Sequence, residues 1–382
     1  NLNGRCVAEK NACECFKGWK GDDCGVLNLL PMPDDITPAY GVIPTADAPG
    51  VASWGASLLK DPEEDDLWHM FVSEMDKGCG LDSWGRNSKI VHATAQTAFG
   101  PFEKQEELLP LFAHEPTLAR VDGGYVIYKI GCADGAITGS NGTGLVGPCT
   151  SCANGTTIDS QDTCPAPDQV YERACQDVLF SPTLNGPWKR MNLSFSSWDW
   201  ARANLGLESH GPVIMPNGTV LTFTRSWGSP APLPWSAIWL ATADSWNGTY
   251  HLVGEEPKFV VKQGAATETK STDGPGPAFQ TGMEDTHMFM NGAGYFHALF
   301  HTWDDTNVGG HAYSRDGVKW TLSNTTAYTN HVETVGGNEI VYGRRERPHV
   351  FLDDEGNPTH LITGVTYPPA DFSFTHVQGI GA

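Results

Sequence analysis

The sequence is short of basic residues, of long apolar runs and of helical periodicity. It has 24 Lys and Arg against 45 Asp and Glu, which gives a formal net charge of -21 at pH 7. A chain this acidic repels phosphate backbones, so we expect no nucleic-acid partner. No stretch approaches the ~20 consecutive apolar residues that cross a bilayer, so we expect no membrane span.

An initiator methionine and a signal peptide are also missing, which is typical of a processed mature chain. Cysteine, in contrast, is plentiful, with ten residues. Six Asn-X-Ser/Thr sequons accompany them in polar, turn-like settings, at Asn141, Asn154, Asn192, Asn217, Asn247 and Asn324. Together these features predict a secreted, disulfide-bonded and N-glycosylated protein.

Four cysteines lie in the first 24 residues, in "CVAEKNACECFKGWKGDDC". This spacing resembles the C-terminal part of an EGF-like module, and the resemblance implies a disulfide between Cys15 and Cys24. Cys6 and Cys13 would then have partners upstream of residue 1, unless they pair with each other. So small a unit depends on its disulfides for stability. Its usual role is that of a spacer or an interaction module, which predicts contacts with other extracellular proteins.

The remaining cysteines centre on a Gly-, Ser- and Thr-rich stretch. It contains Cys132, Cys149, Cys152, Cys164 and Cys175, and Cys79 makes the count even. The pair in "CTSC" suggests a metal or redox site, but no His or second C-x-x-C stands at zinc-ligand spacing. In a secreted chain we therefore predict a disulfide-tied insertion at 132–175.

From about residue 45 onward, short strand-like runs alternate with Gly, Asn, Asp and Pro turns. Hairpins begin near residues 54, 114, 210, 284 and 346. A unit of four strands repeated five times is typical of a β-propeller, which buries its core between neighbouring units. We predict an all-β chain: an EGF-like module at 1–25, a linker at 26–45 and a five-bladed propeller at 46–382.

Polar residues stand directly before the first strand of every predicted blade. The five stretches are "SWGAS", "AHEPT", "SHGPV", "MEDTH" and "RERPH". Because the first strand of each propeller blade lines the central channel, these stretches are expected to meet on one face around the axis. The sequence therefore predicts a polar site at the axial mouth.

The blade signatures "GPF", "GPW" and "RDGVKW" resemble those of family 43 glycoside hydrolases and their invertase and levansucrase relatives, over about residues 45–375. In that family an Asp on blade one is the general base, an Asp on blade three tunes the pKa, and a Glu on blade four is the general acid. Inverting hydrolysis requires two carboxyl groups roughly 6.5–9.5 Å apart. The resemblance implies that a polysaccharide or another glycan is the partner.

Carried over by motif, Glu284 in "EDTH" is the implied general acid, with Asp285 and His287 beside it in the substrate site. The two Asp positions fall at Trp54–Gly55 and His210–Gly211, so two of the three expected carboxylates are missing.

Glu115 and Glu346 are the catalytic candidates to replace them. Nearby acids together with Arg345 or Arg347 would raise the pKa of one carboxyl group and leave another ionised. The alternative is a buried ion pair between Glu346 and Arg347.

Arg345 and Arg347, with aromatic and imidazole side chains, complete the predicted substrate site. Trp54 and Trp303 would stack on a sugar face, although Trp54 would serve equally as a core residue between blades one and five. The histidines near strand ends are predicted to bind substrate or to form rim hydrogen bonds: His114, His210, His287 and His301. No cofactor is required by this interpretation, and no metal ligands are assigned. Some members of the resembled family hold a calcium or other ion in the channel.

Three functions remain open from the sequence. The first is a secreted glycoside hydrolase with a non-standard catalytic set. The second is a non-catalytic, hydrolase-like carbohydrate-binding or structural component of a matrix, wall or surface filament. The missing Asp residues, the EGF-like unit and the dense sequons motivate this alternative. The third is a propeller that binds other proteins, since fold alone does not determine function.

Overall fold

The computed structural model describes residues 1–7, 12–45, 47–48, 50–131, 177–196, 205–227, 236–262, 268–273, 282–302, 309–367 and 372–382. In these residues the helical turns are Trp84–Asn87 (α), Asp76–Gly78 and Leu81–Ser83 (both 3₁₀). No helix within these ranges has the length and apolar character that a bilayer crossing needs. The predicted insertion at 132–175 lies outside the described residues.

The described strands, β1 to β28 in chain order, form five sheets and three small hairpins. The hairpins are β1 (Gly4–Val7) with β2 (Ala12–Cys15), β3 (Trp19–Lys20) with β4 (Val26–Leu27), and β24 (His331–Glu333) with β25 (Glu339–Val341). The first sheet contains β5 (Ser53–Lys60), β6 (Trp68–Met75), β7 (Ser88–Ala95) and β8 (Glu103–Leu109). The second contains β9 (His114–Val121), β10 (Gly124–Ile130), β11 (Asp177–Ser181) and β12 (Lys189–Asn192).

The third sheet is the widest. It contains β14 (Leu205–Ile214), β15 (Val220–Trp227), β16 (Ser236–Ala243) and β17 (Thr249–Leu252), with β13 (Ser194–Phe195), β18 (Phe259–Lys262) and β19 (Glu268–Ser271) added. The fourth contains β20 (Met283–Met290), β21 (Phe296–Thr302), β22 (Gly309–Ser314) and β23 (Thr321–Leu322). The fifth contains β26 (Arg344–Leu352), β27 (Pro358–Tyr367) and β28 (Phe372–Gly379).

The innermost strands of the five sheets, β5, β9, β14, β20 and β26, contact one another in a closed ring. Within each sheet the consecutive strands run antiparallel outward from this ring. Among the described residues, the first four sheets have at least four strands and the fifth has three. The predicted all-β propeller is confirmed.

The apolar core lies between the sheets, because both faces of each sheet are covered by neighbours. Each buried cluster joins two adjacent sheets through pairs such as Phe71 with Ile127, Val126 with Val220, Phe223 with Phe300, Leu299 with Leu361, and Val72 with Ile362. Burying each such side chain contributes roughly 1.5–3 kcal/mol. This packing holds the inner strand ends at fixed positions around the axis.

The N-terminal chain packs against the fourth and fifth sheets. Trp19 is 5% exposed, and its ring lies 5.1 Å from that of His311 and 5.9 Å from that of His297. Farther along, Leu29 forms a bridge with Ile380, and Tyr40 forms one with Thr375. The segment predicted to be a linker is thus attached along the outer side of β28.

Cys15 and Cys24 form a disulfide with their Cα atoms 5.3 Å apart, the pairing that the EGF-like resemblance implies. Cys13 is also disulfide-bonded, and it lies opposite Cys6 in the register of β1 and β2. Cys79 is disulfide-bonded and fully buried. Cys132, Cys149, Cys152, Cys164 and Cys175 lie outside the described residues.

Four of the six predicted glycosylation sites lie in described residues. Asn192, Asn217, Asn247 and Asn324 are all exposed. Asn217 and Asn247 lie in the turns after β14 and β16, Asn192 is the last residue of β12, and Asn324 follows β23. Asn141 and Asn154 lie outside the described residues.

Candidate functional site

Each of the five innermost strands carries a register shift at the polar stretch that the sequence singled out. In four sheets the shift falls directly after one residue of the inner strand: Trp54, His210, Glu284 or Glu346. In the second sheet it falls between His114 and Thr117 of β9. Such bulges bend a strand and redirect a side chain. They let consecutive residues point to different levels of the axis.

Four of these bulges contain a residue with left-handed backbone. The φ values are 60° at Gly55, 54° at Glu115, 55° at Asp285 and 57° at Arg347. For the three residues with side chains this conformation costs roughly 1–3 kcal/mol each and persists only where the surroundings enforce it. Here an ionic contact between separate sheets accompanies it.

The guanidinium of Arg347 joins the three sheets at the axis. Its Nη1 contacts a carboxylate oxygen of Glu115 and lies 2.6 Å from Oδ1 of Asp285. All three side chains are largely buried, with 12%, 9% and 3% of their surfaces exposed, respectively. The expected pair between Glu346 and Arg347 is therefore wrong in its partners, because the left-handed backbone at Arg347 turns its side chain away from Glu346.

Glu284 and Glu346 lie one residue before these axial groups, and each has its own arginine. Arg225, fully buried at the end of β15, donates to Oε1 of Glu284 and to Oγ of Ser236. Arg344 donates to both oxygens of Glu346, at 2.7 and 2.9 Å. Both carboxylates are thus fixed in orientation by guanidinium groups.

His301 on β21 connects the two levels of the site. Its Nδ1 lies 2.9 Å from Oδ2 of Asp285. Its Nε2 lies 3.8 Å from Oε2 of Glu284 and 3.7 Å from Oε2 of Glu346. Both oxygens lie close to one nitrogen, so the distance between them is less than the upper end of the roughly 6.5–9.5 Å separation of inverting glycosidases.

His301 is the fourth cationic side chain in the described part of the site. Burial lowers the pKa of His301, but the carboxylates of Glu346, Asp285 and Glu284 outweigh burial and raise this pKa to about 9. Among the described residues, the protonated His301 and three guanidinium groups thus face four carboxylates, including that of Glu115.

A polar cavity of about 370 Å³, including the part open to solvent, adjoins the Arg347 contact. Its walls include Thr117, His287 and His349, each two residues after one of the left-handed residues Glu115, Asp285 and Arg347. The His287 and His349 rings lie 4.1 Å apart. Burial, with the neighbouring ring, holds the pKa of His287 well below its usual range, and burial lowers that of His349 to about 4. This wall is uncharged at neutral pH.

Two predicted substrate-binding residues are placed elsewhere. Trp54 is 2% exposed and packs on the backbone of Gly364, where a Cβ would lie 2.5 Å from the ring. It is a core residue, so sugar stacking on it is excluded by burial. Arg345 is fully buried and donates to the Thr329 carbonyl and the Gln378 side chain. Its side chain belongs to the fifth sheet and does not line the cavity.

The remaining predicted residues divide between the rim and the undescribed segments. His114 is buried at the rim, hydrogen-bonded to Ser88 Oγ at 2.6 Å and stacked on Trp84. For His210 the structure describes the backbone only, and it precedes the third bulge. Trp303 lies outside the described residues. Nε2 of His311 lies 3.1 Å from Nδ1 of His297, and its ring packs on Trp19, away from the cavity.

The sequence analysis did not identify the cations, Arg225 and Arg344, that orient Glu284 and Glu346. We call Glu284 and Glu346 the mouth carboxylates. Arg225 appears in the sequence as a single basic residue in the otherwise uncharged strand "VLTFTRSW". A lone Arg in a strand is a signal of a buried ion pair, because a buried charge is normally paired. Arg344 was visible at the start of "RRERPH", but nothing in the sequence separates its role from that of Arg345.

One group of described residues has the spacing to hold a metal ion: Asp285, His301 and Glu346, whose ligand atoms lie within 4.8 Å of one another. Carboxylate and imidazole ligands suit several divalent metals. Both carboxylates here already face arginines. A cation would therefore compete with existing ion pairs.

No known protein family profile matches the chain, and no curated protein matches its sequence. Among solved structures, an α-L-arabinofuranosidase from Podospora anserina, in complex with cellotriose, is similar with a TM-score of 0.54 at 9% identity, over 94% of this chain and 98% of that chain. A family 117 glycoside hydrolase from Zobellia galactanivorans gives 0.52 at 12% identity, over 92% and 89%. A third, described as a glycoside hydrolase, gives 0.53 at 11%, over 92% of both. At these identities the likeness shows the propeller fold.

Replacing Arg347 by Met should leave the buried carboxylates of Glu115 and Asp285 without the guanidinium that they share. We expect the free energy of unfolding in urea to fall by about 3–5 kcal/mol. Lys17→Met is the matched control, because Lys17 forms an exposed pair with Glu355 at 3.0 Å and should change nothing measurable. Equal losses in the two variants would contradict the role assigned to Arg347.

The raised pKa of His301 predicts a pH-dependent stability. Its folded pKa of about 9 exceeds the usual value of 6.5 for an unperturbed histidine, so the stabilisation is complete below pH 6.5 and is lost as the pH rises through 9. The expected loss is roughly 3 kcal/mol, measured by urea unfolding from pH 6 to 10. Glu346→Gln should reduce this loss. Glu339→Gln, beside the exposed His331 at 3.0 Å, should leave it unchanged.

Proposed function

We propose that the chain is a secreted, non-catalytic carbohydrate-binding propeller whose axial mouth binds a glycan. The observation that carries this proposal is the pairing of each mouth carboxylate with its own guanidinium, Glu284 with Arg225 and Glu346 with Arg344. Fixed carboxylate oxygens are suitable acceptors for sugar hydroxyl groups. The presence of cellotriose in the Podospora anserina structure supports a glycan as the ligand.

The same pairing argues against hydrolysis. A general acid must carry a proton at the working pH, and an adjacent guanidinium favours the ionised form of a carboxyl group. Arg225 is fully buried, so it remains next to Glu284 when a ligand enters. At the position implied for the general base the chain has the buried Trp54, which offers no proton acceptor.

A hydrolase is the second candidate, favoured by one observation. Glu284 and Glu346 both lie within 3.8 Å of Nε2 of His301. Two carboxyl groups near one another at the axis are the arrangement that glycosidases use to flank a scissile bond. Glu284 is also the more exposed of the two, with 22% of its side-chain surface accessible against 6% for Glu346.

The proposal includes the finer organisation of the chain. We count the fifth sheet as a fifth blade, since its inner strand β26 closes the ring between β20 and β5. The bridges of Leu29 and Tyr40 to β28 would supply its outermost strand. Residues 1–25 are proposed as an EGF-like unit, supported by the Cys15–Cys24 disulfide. Contact with other extracellular proteins would use the surface of this unit opposite the side on which Trp19 packs against the fourth sheet.

Glycan binding as proposed here assigns no cofactor. A calcium or other ion at the axis stays a prediction, and Asp285, His301 and Glu346 are the described residues with suitable spacing.

The test is to incubate the purified glycoprotein with an array of plant, algal and fungal polysaccharides and to read retained protein and released sugar on the same samples. We expect binding without release. Glu284→Gln should weaken binding roughly tenfold or more, because it removes a charged hydrogen-bond acceptor from the mouth. Glu355→Gln, in the turn between β26 and β27 at the other end of the fifth sheet, is the matched control.

Sugar release that disappears in the Glu284→Gln protein would replace the proposal by the hydrolase. Binding without release that is unaffected by Glu284→Gln would contradict the proposal, because the ligand would then not depend on this mouth carboxylate.

A further inference from the structure

Two sequons lie side by side at the outer edge of the second and third sheets. The hydroxyl residues of these sequons, Ser194 and Thr249, are directly opposite in the parallel pair of β13 and β17. Their side chains hydrogen-bond at 3.3 Å. Asn192 is the last residue of β12 and Asn247 lies in the turn before β17, so each sequon asparagine lies two residues before one of the paired hydroxyls. Both Asn side chains are exposed.

Between these sequons lies a partly exposed apolar seam. Trp246, directly before Asn247, stacks on Phe180 of the second sheet with ring centroids 5.0 Å apart and an interplanar angle of 9°. Leu193, inside the other sequon, and Met191 pack on the same cluster and are also only partly buried. The seam thus contains four apolar side chains that the two sheets leave half covered.

The backbone of Trp246 is held by a hydrogen bond from a buried tyrosine. Its backbone carbonyl accepts a hydrogen bond from the hydroxyl of Tyr250 at 2.9 Å, and that hydroxyl lies 2.8 Å from the hydroxyl of Tyr128. The indole therefore does not depend on a ligand for its placement. A fixed, half-exposed aromatic face suits the C–H face of a sugar ring, whose hydroxyl groups stay in water.

We propose that an N-linked glycan on Asn247 folds back so that its first sugars pack on the Trp246–Phe180 stack, and that a glycan on Asn192 covers the Leu193 side of the seam. Covalent attachment one residue from Trp246 gives the sugar a high effective concentration there, so a weak stacking contact is sufficient. The glycan then acts as a structural part of the fold. This inference rests on N-glycosylation of the chain and is independent of the ligand proposed for the mouth.

The experiment uses the full chain secreted from a eukaryotic host. Peptide mass mapping gives the occupancy of Asn247, which we expect to be high. Asn247→Gln should lower the unfolding temperature by roughly 2–4 °C. Asn217→Gln is the matched control, because Asn217 is also exposed and follows Pro216, so its glycan has no adjacent indole, and no shift is expected.

A second pair of variants tests the stack itself. In a Trp246→Ala background, Asn247→Gln should cause no further shift, whereas in a Trp246→Phe background it should still lower the unfolding temperature. In the unaltered protein, proton NMR should show upfield ring-current shifts for the first sugar on Asn247. An unoccupied Asn247, equal effects of Asn247→Gln and Asn217→Gln, or sugar signals without such shifts would each overturn the inference.

Discussion

The contact of one buried guanidinium with two carboxylates is the interaction on which the centre of this molecule depends. Arg347 comes from the fifth sheet, Glu115 from the second and Asp285 from the fourth. The left-handed backbone at all three residues is unfavourable by itself, so the ionic contact and the bulges must stabilise each other. Asp285 in turn fixes His301, and His301 lies between Glu284 and Glu346. The geometry of the mouth therefore follows from the axial contact.

Each of the two mouth carboxylates has its own guanidinium partner. A hydrolytic pair needs two carboxyl groups held in different protonation states by different environments. Here Glu284 and Glu346 each face an arginine and the same imidazole, and Glu284 is the more exposed of the two. The proton of the site resides on His301, where three carboxylates hold it. In the proposed function, these oriented carboxylates would accept hydrogen bonds from the hydroxyl groups of an uncharged glycan.

The periphery shows a different use of the same architecture. The sheets cover one another near the axis, where their inner strands are in contact. They diverge outward, and apolar residues such as Trp246 and Phe180 remain half exposed between the second and third sheets. The exposed sequons fall in outer strands and in turns distant from the bulges. The proposed glycan-binding site and the predicted glycosylation sites therefore lie at different parts of the sheets.

The sequence by itself determined the class of fold and the five polar stretches that meet at the axis, because strand-and-turn periodicity and a polar residue at a fixed place in a repeat are local signals. It also singled out Glu115, Glu284, Asp285, His301, Glu346 and Arg347. Only the tertiary structure decided which charges pair, because a one-residue bulge sends Glu346 to the mouth and Arg347 to the axis, a choice that spacing does not encode. It likewise decided that Trp54 is a core residue, since the space for its ring is created by Gly364, 310 residues later in the chain.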